Sequence, residues 1–469
     1  MPTSPRASLP KKNTSGPPAR DERTRWALPV TAGAGFLAGL DTTAVNLALP
    51  DIQRTLAAGL TEVQWVVNAF ALLSAALLVT AGNLSDRLGR RRVFVAGLLG
   101  FAASSATCGL ASSGVVLDLA RAAQGAAAAV VTASGLAVLV STFPPAERGR
   151  ALGISGAIAA LSFVVGPLVG GLLTDTLGWR SVFLVNVPVA VFIALAARIT
   201  LPELRDRSNR QARFDHAGVA TFTFGFGALL FAVLRGDEVG WANAEVPLAA
   251  GAGAASLLAF VAVERRAVDG VVDLRLFLDR TFTGAVVTTA LVGAAYFGML
   301  VYLSLFLQGT QHYGAIETGL VYLPTILPFM VISPLAGRLL ARMPGAPLPT
   351  IGVALVACGM LLLVGVDEGA GLLDVAAGMA VAGLGTGLAV TPLTQLALDQ
   401  VPIERSGMAS GVVQTSRPLG VTIGVTVLGL AVPGRVDAVA FHAVAGTAAG
   451  IAALGAVVAA TTIRPTGVY

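Results

Sequence analysis

Along this chain apolar positions come in long runs, and polar ones are confined to short clusters between them. The runs fall at roughly 26–50, 63–82, 93–111, 117–141, 150–174, 181–200, 214–234, 246–264, 282–307, 317–340, 349–366, 371–397, 407–431 and 439–462. Each holds about 18–25 residues, enough for a helix to cross a ~30 Å hydrocarbon core. A buried helix of a soluble protein would keep a polar stripe, and these runs lack one. The pattern predicts an all-α polytopic membrane protein with fourteen transmembrane helices.

The runs also repeat. PAERGRALG at 145–153 returns as PIERSGMASG at 402–411, LDLA at 117–120 as LDVA at 373–376, and GNLSDR at 82–87 as GRLLAR at 337–342. Three matches in one order, all offset by about 255–257 residues, point to two related six-helix bundles, the usual plan of secondary transporters. The expected domains are a polar tail over 1–25, a first bundle over 26–200, linkers with two inserted helices over 201–281, and a second bundle with a short tail over 282–469. The Pro-, Ser- and base-rich tail has no short apolar core with a cleavage site, so it reads as a disordered segment and not as a signal peptide.

Composition narrows the function. Only 12% of the 469 residues are charged, about half the share of a soluble domain. The net charge of +5 does not indicate nucleic acid, because its distribution follows topology. With the N-terminus cytoplasmic, inside segments hold about 25 of the 31 basic residues, among them SDRLGRRR, PAERGR and PELRDRSNRQAR. Outside loops hold Arg54, Arg180, Arg235 and Arg435, and Trp241 suits an interface. Both termini are therefore expected in the cytoplasm. The two cysteines and three histidines are scattered, without metal-ligand or disulfide spacing, and no catalytic cluster or soluble output domain is visible. GLGTG at 383–387 has no preceding strand, which removes a nucleotide-loop reading. No cofactor or metal is expected.

A few charges break the runs. Asp41, in FLAGLDTTAVNLALP, lies about 22 Å into its span, in the expected outer half. An acid at such a depth usually faces a water-filled cavity on an ion or proton pathway; the bland alternative is a polar residue satisfied by Thr42, Thr43 or Asn46. Arg121 in the fourth span either snorkels to the surface or communicates with Asp41. The repeat places Phe297, Ala341 and Ala377 opposite Asp41, Asp86 and Arg121, so these charges belong to the first half alone. GNLSDRLGRRR at 82–92 combines Gly82, Asp86 and Gly89 with Arg87, Arg90 and Arg91, a set suited to a charge-switched cytoplasmic latch. GPLVGG at 166–171 reads as a Pro–Gly break, with Gly166, Pro167, Gly170 and Gly171 serving as packing face, hinge or seal. Arg417 either reaches back to the cytoplasmic surface or joins Asn46, Gln124, Tyr296, Tyr302 and Tyr322 as a candidate cavity residue.

From these residues the chain resembles the fourteen-span drug:proton antiporters of the major facilitator superfamily. LDTTAVNLALP is similar to the first-span signature of that branch, GNLSDRLGRRR to the loop motif between spans two and three, LDLARAAQGAAAA to the fourth-span motif, and the stretch ending in GPLVGG to the fifth-span antiporter motif. WRSVFLVNVPVA at 179–190 also fits. The resemblance implies a two-bundle, monomeric carrier in the cell membrane that alternates access and exchanges protons for amphipathic small molecules. It assigns Asp41 to protonation with Arg121 as partner, Asp86 and its arginines to stabilising the outward-open state, and the GPLVGG residues to a seal against leak. Beyond Glu317 the tenth span has no acid, which lowers the expectation of strong selectivity for divalent organic cations. A dedicated metabolite exporter or an uncoupled facilitator of the same fold is the rival expectation.

Overall fold

A computed structural model of the chain describes residues 22–57, 60–203, 215–240, 243–266, 270–311, 313, 319–340, 342–343, 345–367, 369, 371–432 and 437–464. Most of the tail, Trp241, Glu317 and Arg435 lie outside these residues. The regular structure described is helical.

The first half comprises α1 (Glu22–Leu56), α2 (Leu60–Leu88), α3 (Arg90–Gly109), α4 (Gly114–Thr142), α5 (Pro145–Leu177), the short α6 (Arg180–Leu184) and α7 (Asn186–Thr200). Two peripheral helices follow, α8 (His216–Val239) and α9 (Glu245–Glu264). The second half holds α10 (Arg280–Val292), a π-helical segment (Gly293–Phe297), α11 (Gly298–Gly309), α12 (Leu323–Leu340), α13 (Pro347–Leu363), α14 (Leu372–Asp399), α15 (Ser406–Gly429) and α16 (Ala438–Thr462). Among the described residues, twelve helical stretches are long and apolar enough to cross a membrane. The shortfall from the expected fourteen has a local cause. Helix α13 has 17 residues, and the apolar part of α15 is interrupted by the polar run QTSRP at 414–418.

Local chemistry sets the boundaries. Ser113, Asp215, Asp279 and Asp437 each accept a backbone N–H of the first turn that follows, an N-cap that satisfies an otherwise orphan donor. Gly89 separates α2 from α3 at φ 104°, a conformation open to glycine. By contrast α5 continues through GPLVGG, where the sequence suggests a break. One missing proline N–H is tolerable in a membrane helix, and Gly166 and Gly170 brace α5 directly on Thr43 and Ala44 of α1.

Apolar clusters form the cores, and the one centred in the second half reaches into the first at Val79, Leu139 and Leu152. Phe94, Phe101 and Ile193 anchor one part of the first half, with Val45, Trp179 and Phe183 in another; Phe282, Met299, Phe306 and Phe441 anchor the second. Helix α8 rests on α2, with Trp65 and Phe231 ring centroids 5.8 Å apart, and α9 packs on α8 backbone to backbone at Gly225 and Gly253. The halves meet most closely at one end. There Gly82 and Gly411 join α2 to α15 without space for a Cβ, and Gly149 and Gly153 do the same between α5 and α12.

Candidate functional site

Two polar assemblies stand out, one inside the first half and one between the halves. The first is built around Asp41. Gly125 of α4 lies directly on the backbone of Phe70 in α2, so the helices touch. One turn away, that closeness carries Arg121 to α2, where its Nε donates to the Val66 carbonyl at 2.8 Å. Arg121 and Gln124, three residues apart, share a face of α4. Arg121 Nη1 donates to Asp41 Oδ2 at 2.6 Å and to Gln124 Oε1 at 2.6 Å. Gln124 Nε2 donates to Asp41 Oδ1 at 2.9 Å and to Ser105 Oγ at 2.6 Å. Asn186 Nδ2 closes the ring with a 2.7 Å bond to Asp41 Oδ1.

This assembly is dry. Asp41, Arg121, Gln124 and Asn186 are each no more than 1% exposed. The guanidinium of Arg121 stacks over Phe70 at 4.3 Å and lies 5.6 Å from Phe183, which shields its planar face. An unpaired charge at this depth would cost several kcal/mol, and here each charge supplies the other's compensation. The water-filled surroundings expected for Asp41 are thus replaced by an enclosed salt bridge, and its partners are not Thr42, Thr43 or Asn46. Arg121 does not snorkel. Asn186 and Ser105 were not singled out from sequence; the one available signal was an uncharged polar residue within an apolar run. Asn186 Oδ1 is buried without a hydrogen-bond partner, an acceptor left open beside the ion pair.

The second assembly joins the halves. Asp86, at the end of α2, accepts from Arg90 Nη2 at 3.0 Å and from the Gly407 N–H at 2.9 Å through Oδ1. Its Oδ2 accepts from the Met408 N–H at 2.8 Å. An acid of one half thereby caps the first turn of α15 in the other, where free N–H groups and the positive end of the helix dipole favour an anion. Arg90 also donates to the Ile403 carbonyl. Arg91 and Arg92 turn the other way, to Glu203 at 3.3 and 3.5 Å. Arg148 and Asp399 form a second bridge across the halves at 3.2 Å.

The remaining candidates scatter. Gly166, Gly170 and Gly171 face α1 within the same half, and Pro167 lies inside α5. The hydroxyls of Tyr296, Tyr302 and Tyr322 are spent on Thr325, the Val425 carbonyl and the Leu300 carbonyl at 2.7, 2.6 and 2.9 Å. Tyr296 and Tyr302 are buried, as is Gln124, so none of the three lines open space here. Asn46 and Arg417 are exposed.

Comparison with known proteins places this geometry in context. Residues 31–425 match the Major Facilitator Superfamily. The multidrug resistance protein Stp of Mycobacterium tuberculosis is 40% identical over 411 residues, covering 87% of this chain and 76% of that protein. The probable actinorhodin transporter of Streptomyces coelicolor is 35% identical over 434 residues, covering 90% and 74%. The puromycin resistance protein pur8 of Streptomyces alboniger is 35% identical over 413 residues, covering 87% and 82%. Among solved structures, the human organic anion transporter MFSD10 superposes with a TM-score of 0.70 at 16% identity, over 94% of this chain and all of that one. The proton:xylose symporter XylE does so at 0.66 and 14% identity, over 93% of this chain and 95% of that one. At those identities the likeness is one of fold.

Proposed function

The chain belongs to the Major Facilitator Superfamily and is a multi-pass membrane transporter, not an enzyme; from that premise we propose that it exports amphipathic drug-like molecules across the cell membrane in exchange for protons. Relatives named for multidrug, puromycin and tetracenomycin C resistance support the drug-export part. In this reading α13 and α15 also span the bilayer, which gives fourteen spans, a monomer and two cytoplasmic termini. The end closed by Asp86 is then the cytoplasmic one, and the conformation is outward-facing.

The observation that carries the coupling is the enclosed pair of Asp41 and Arg121, 2.6 Å apart. A carboxylate that shares its charge with one buried cation can take up a proton only by giving up that cation. Protonation from outside frees Arg121 to lean on Gln124 and the Val66 carbonyl, which already hold it. The change in the first half's internal charge then favours return of the empty carrier to the inward-facing state. Proton release to the cytoplasm restores the pair as substrate binds. Asn186 and Gln124 act as positioning residues that hold Asp41 in line.

Substrate-driven proton movement in inverted vesicles under an imposed pH gradient tests this. Wild type, Asp41→Asn and empty vesicles are compared with a panel of cationic, neutral and acidic amphiphiles. A signal lost in folded Asp41→Asn is the expected result. Transport with unchanged proton coupling in that variant would move the coupling acid elsewhere, and transport without any proton movement would indicate a facilitator.

A further inference from the structure

Among the described residues, three charges lie about two turns or more from either end of their helices: Asp41, Arg121 and Arg417. The first two neutralise each other out of reach of water. The third does not. Arg417 is exposed, and among the described residues its guanidinium has neither hydrogen bond nor ion pair. What it does meet is an aromatic face: Cζ lies 5.6 Å from the centroid of the Phe297 ring.

The direction of the side chain follows from helix geometry. Gly407 and Gly411 seat one side of α15 on α2 at Gly82 and Leu78, whereas Gly420 and Gly424 seat another side on the second half at Ala290 and Ala294. With 3.6 residues per turn, position 417 leaves α15 between those two sides, and Gln414 and Val421 share its strip. Because α2 belongs to one half and α10 to the other, this strip faces the space between the halves and not the lipid. Arg417 lies about 16 Å along the helix from Ser406, three turns from the end and beyond the reach of a snorkelling side chain. The sequence alternative of reaching back to the surface is thereby removed.

We infer that Arg417 and Phe297 form an anion-recognition subsite for amphipathic aromatic compounds bearing a carboxylate or an ionised phenol. This deepens the export reading and rests on it. A guanidinium presents a planar fork of donors that matches a carboxylate, and a low-dielectric surround strengthens the pairing. The Phe297 ring, half-buried and set edge-on to Tyr296 at 4.8 Å, offers a face for the ligand's ring beside its charge. An unpaired cation so far inside the bilayer is costly, and a bound anion removes that cost. Among the described residues the acid at such depth, Asp41, is enclosed and already paired.

The test uses the full-length protein in lipid nanodiscs with three fluorescent probes of one shape: pyrenebutyrate, its methyl ester, and the trimethylammonium analogue. Wild type is expected to bind the carboxylate about 10- to 100-fold tighter than the ester, the range of one charge-assisted contact. Arg417→Gln should abolish that advantage, and Arg417→Lys should keep part of it. Equal affinities for carboxylate and ester in wild type, or a preference that survives Arg417→Gln, would overturn the inference. If Arg417→Gln does not fold, Phe297→Leu serves instead, with a several-fold loss expected for pyrenebutyrate; undiminished binding there overturns the subsite. The two readings fail separately. Proton-driven export of the ester or the ammonium probe without carboxylate preference sinks the subsite alone. An Arg417-dependent preference without substrate-driven proton movement sinks the coupling alone.

Discussion

Asp86→Asn removes the charge of the inter-half clasp and keeps its shape. The carboxylate now accepts from Gly407 N–H, Met408 N–H and Arg90 at 2.9, 2.8 and 3.0 Å. An amide has one oxygen, so one backbone donor keeps its partner while the other, or Arg90, meets an NH2 group. A hydrogen bond to a charged acceptor contributes about 1.5–3 kcal/mol, and complementing a helix N-terminus about 0.3–1 kcal/mol more. Closure of this end should therefore weaken by about 2–4 kcal/mol. At about 1.4 kcal/mol per tenfold, the population with this end open rises about 30- to 1,000-fold. Spin labels on Leu88→Cys and Ile403→Cys, both exposed, flank the clasp from either half. With Cys108→Ser and Cys358→Ser as background, pulsed dipolar distances should be short and single for native Asp86. They should acquire a longer component with Asp86→Asn. An unchanged distance distribution in folded protein would refute the account of the clasp as a charge-dependent lock.

Other substitutions probe separate links. Gly125→Val should force α4 away from Phe70, cost about 1–3 kcal/mol as an overpacked contact, and lower both Tm and substrate-driven proton movement. Asn186→Leu removes one charge-assisted donor from Asp41 and should cost about 1.5–3 kcal/mol of stability, read as a lowered Tm in detergent. Arg148→Ala breaks the partly exposed bridge to Asp399, and a shift of about 1 kcal/mol or less in the populations read by the same dipolar distances separates it from the buried clasp.

How far the sequence anticipates this arrangement depends on the physics involved. Spans are legible because bilayer thickness fixes the length of an apolar run. The approach of α2 to α15 is foreshadowed by Gly82, which permits close contact, but its partner is the backbone of Gly407, and a backbone group leaves no mark in a sequence. For the same reason the cap that Asp86 places on α15 was legible only as an acid among arginines. Asp41 and Asn186 are 145 residues apart, and no local pattern links them. The enclosure of Asp41 was hidden too: depth along a helix can be counted, whereas which side of it meets water depends on how the helices rotate against one another.

The internal repeat gives that last point its functional meaning. Counting by the offset, Phe297 stands in the second half where Asp41 stands in the first. The two positions have opposite surroundings. Asp41 turns inward among α3, α4 and α7 and is sealed with its cation, while Phe297 ends a π-helical segment and lies beneath an accessible one. An extra residue in a helical turn rotates the side chains beyond it, and such π-bulges recur at functional sites. If the first half holds the coupling charge out of water, substrate need never touch it. Substrate and proton would then compete through the conformations they favour and not through a shared contact. That division predicts a specific independence: Arg417→Gln should alter which probes bind while leaving the Asp41–Arg121 pair intact, and Asp41→Asn should abolish proton movement while leaving the carboxylate preference in place. A common loss of both properties from either substitution, in folded protein, would mean that the two charges share one site after all.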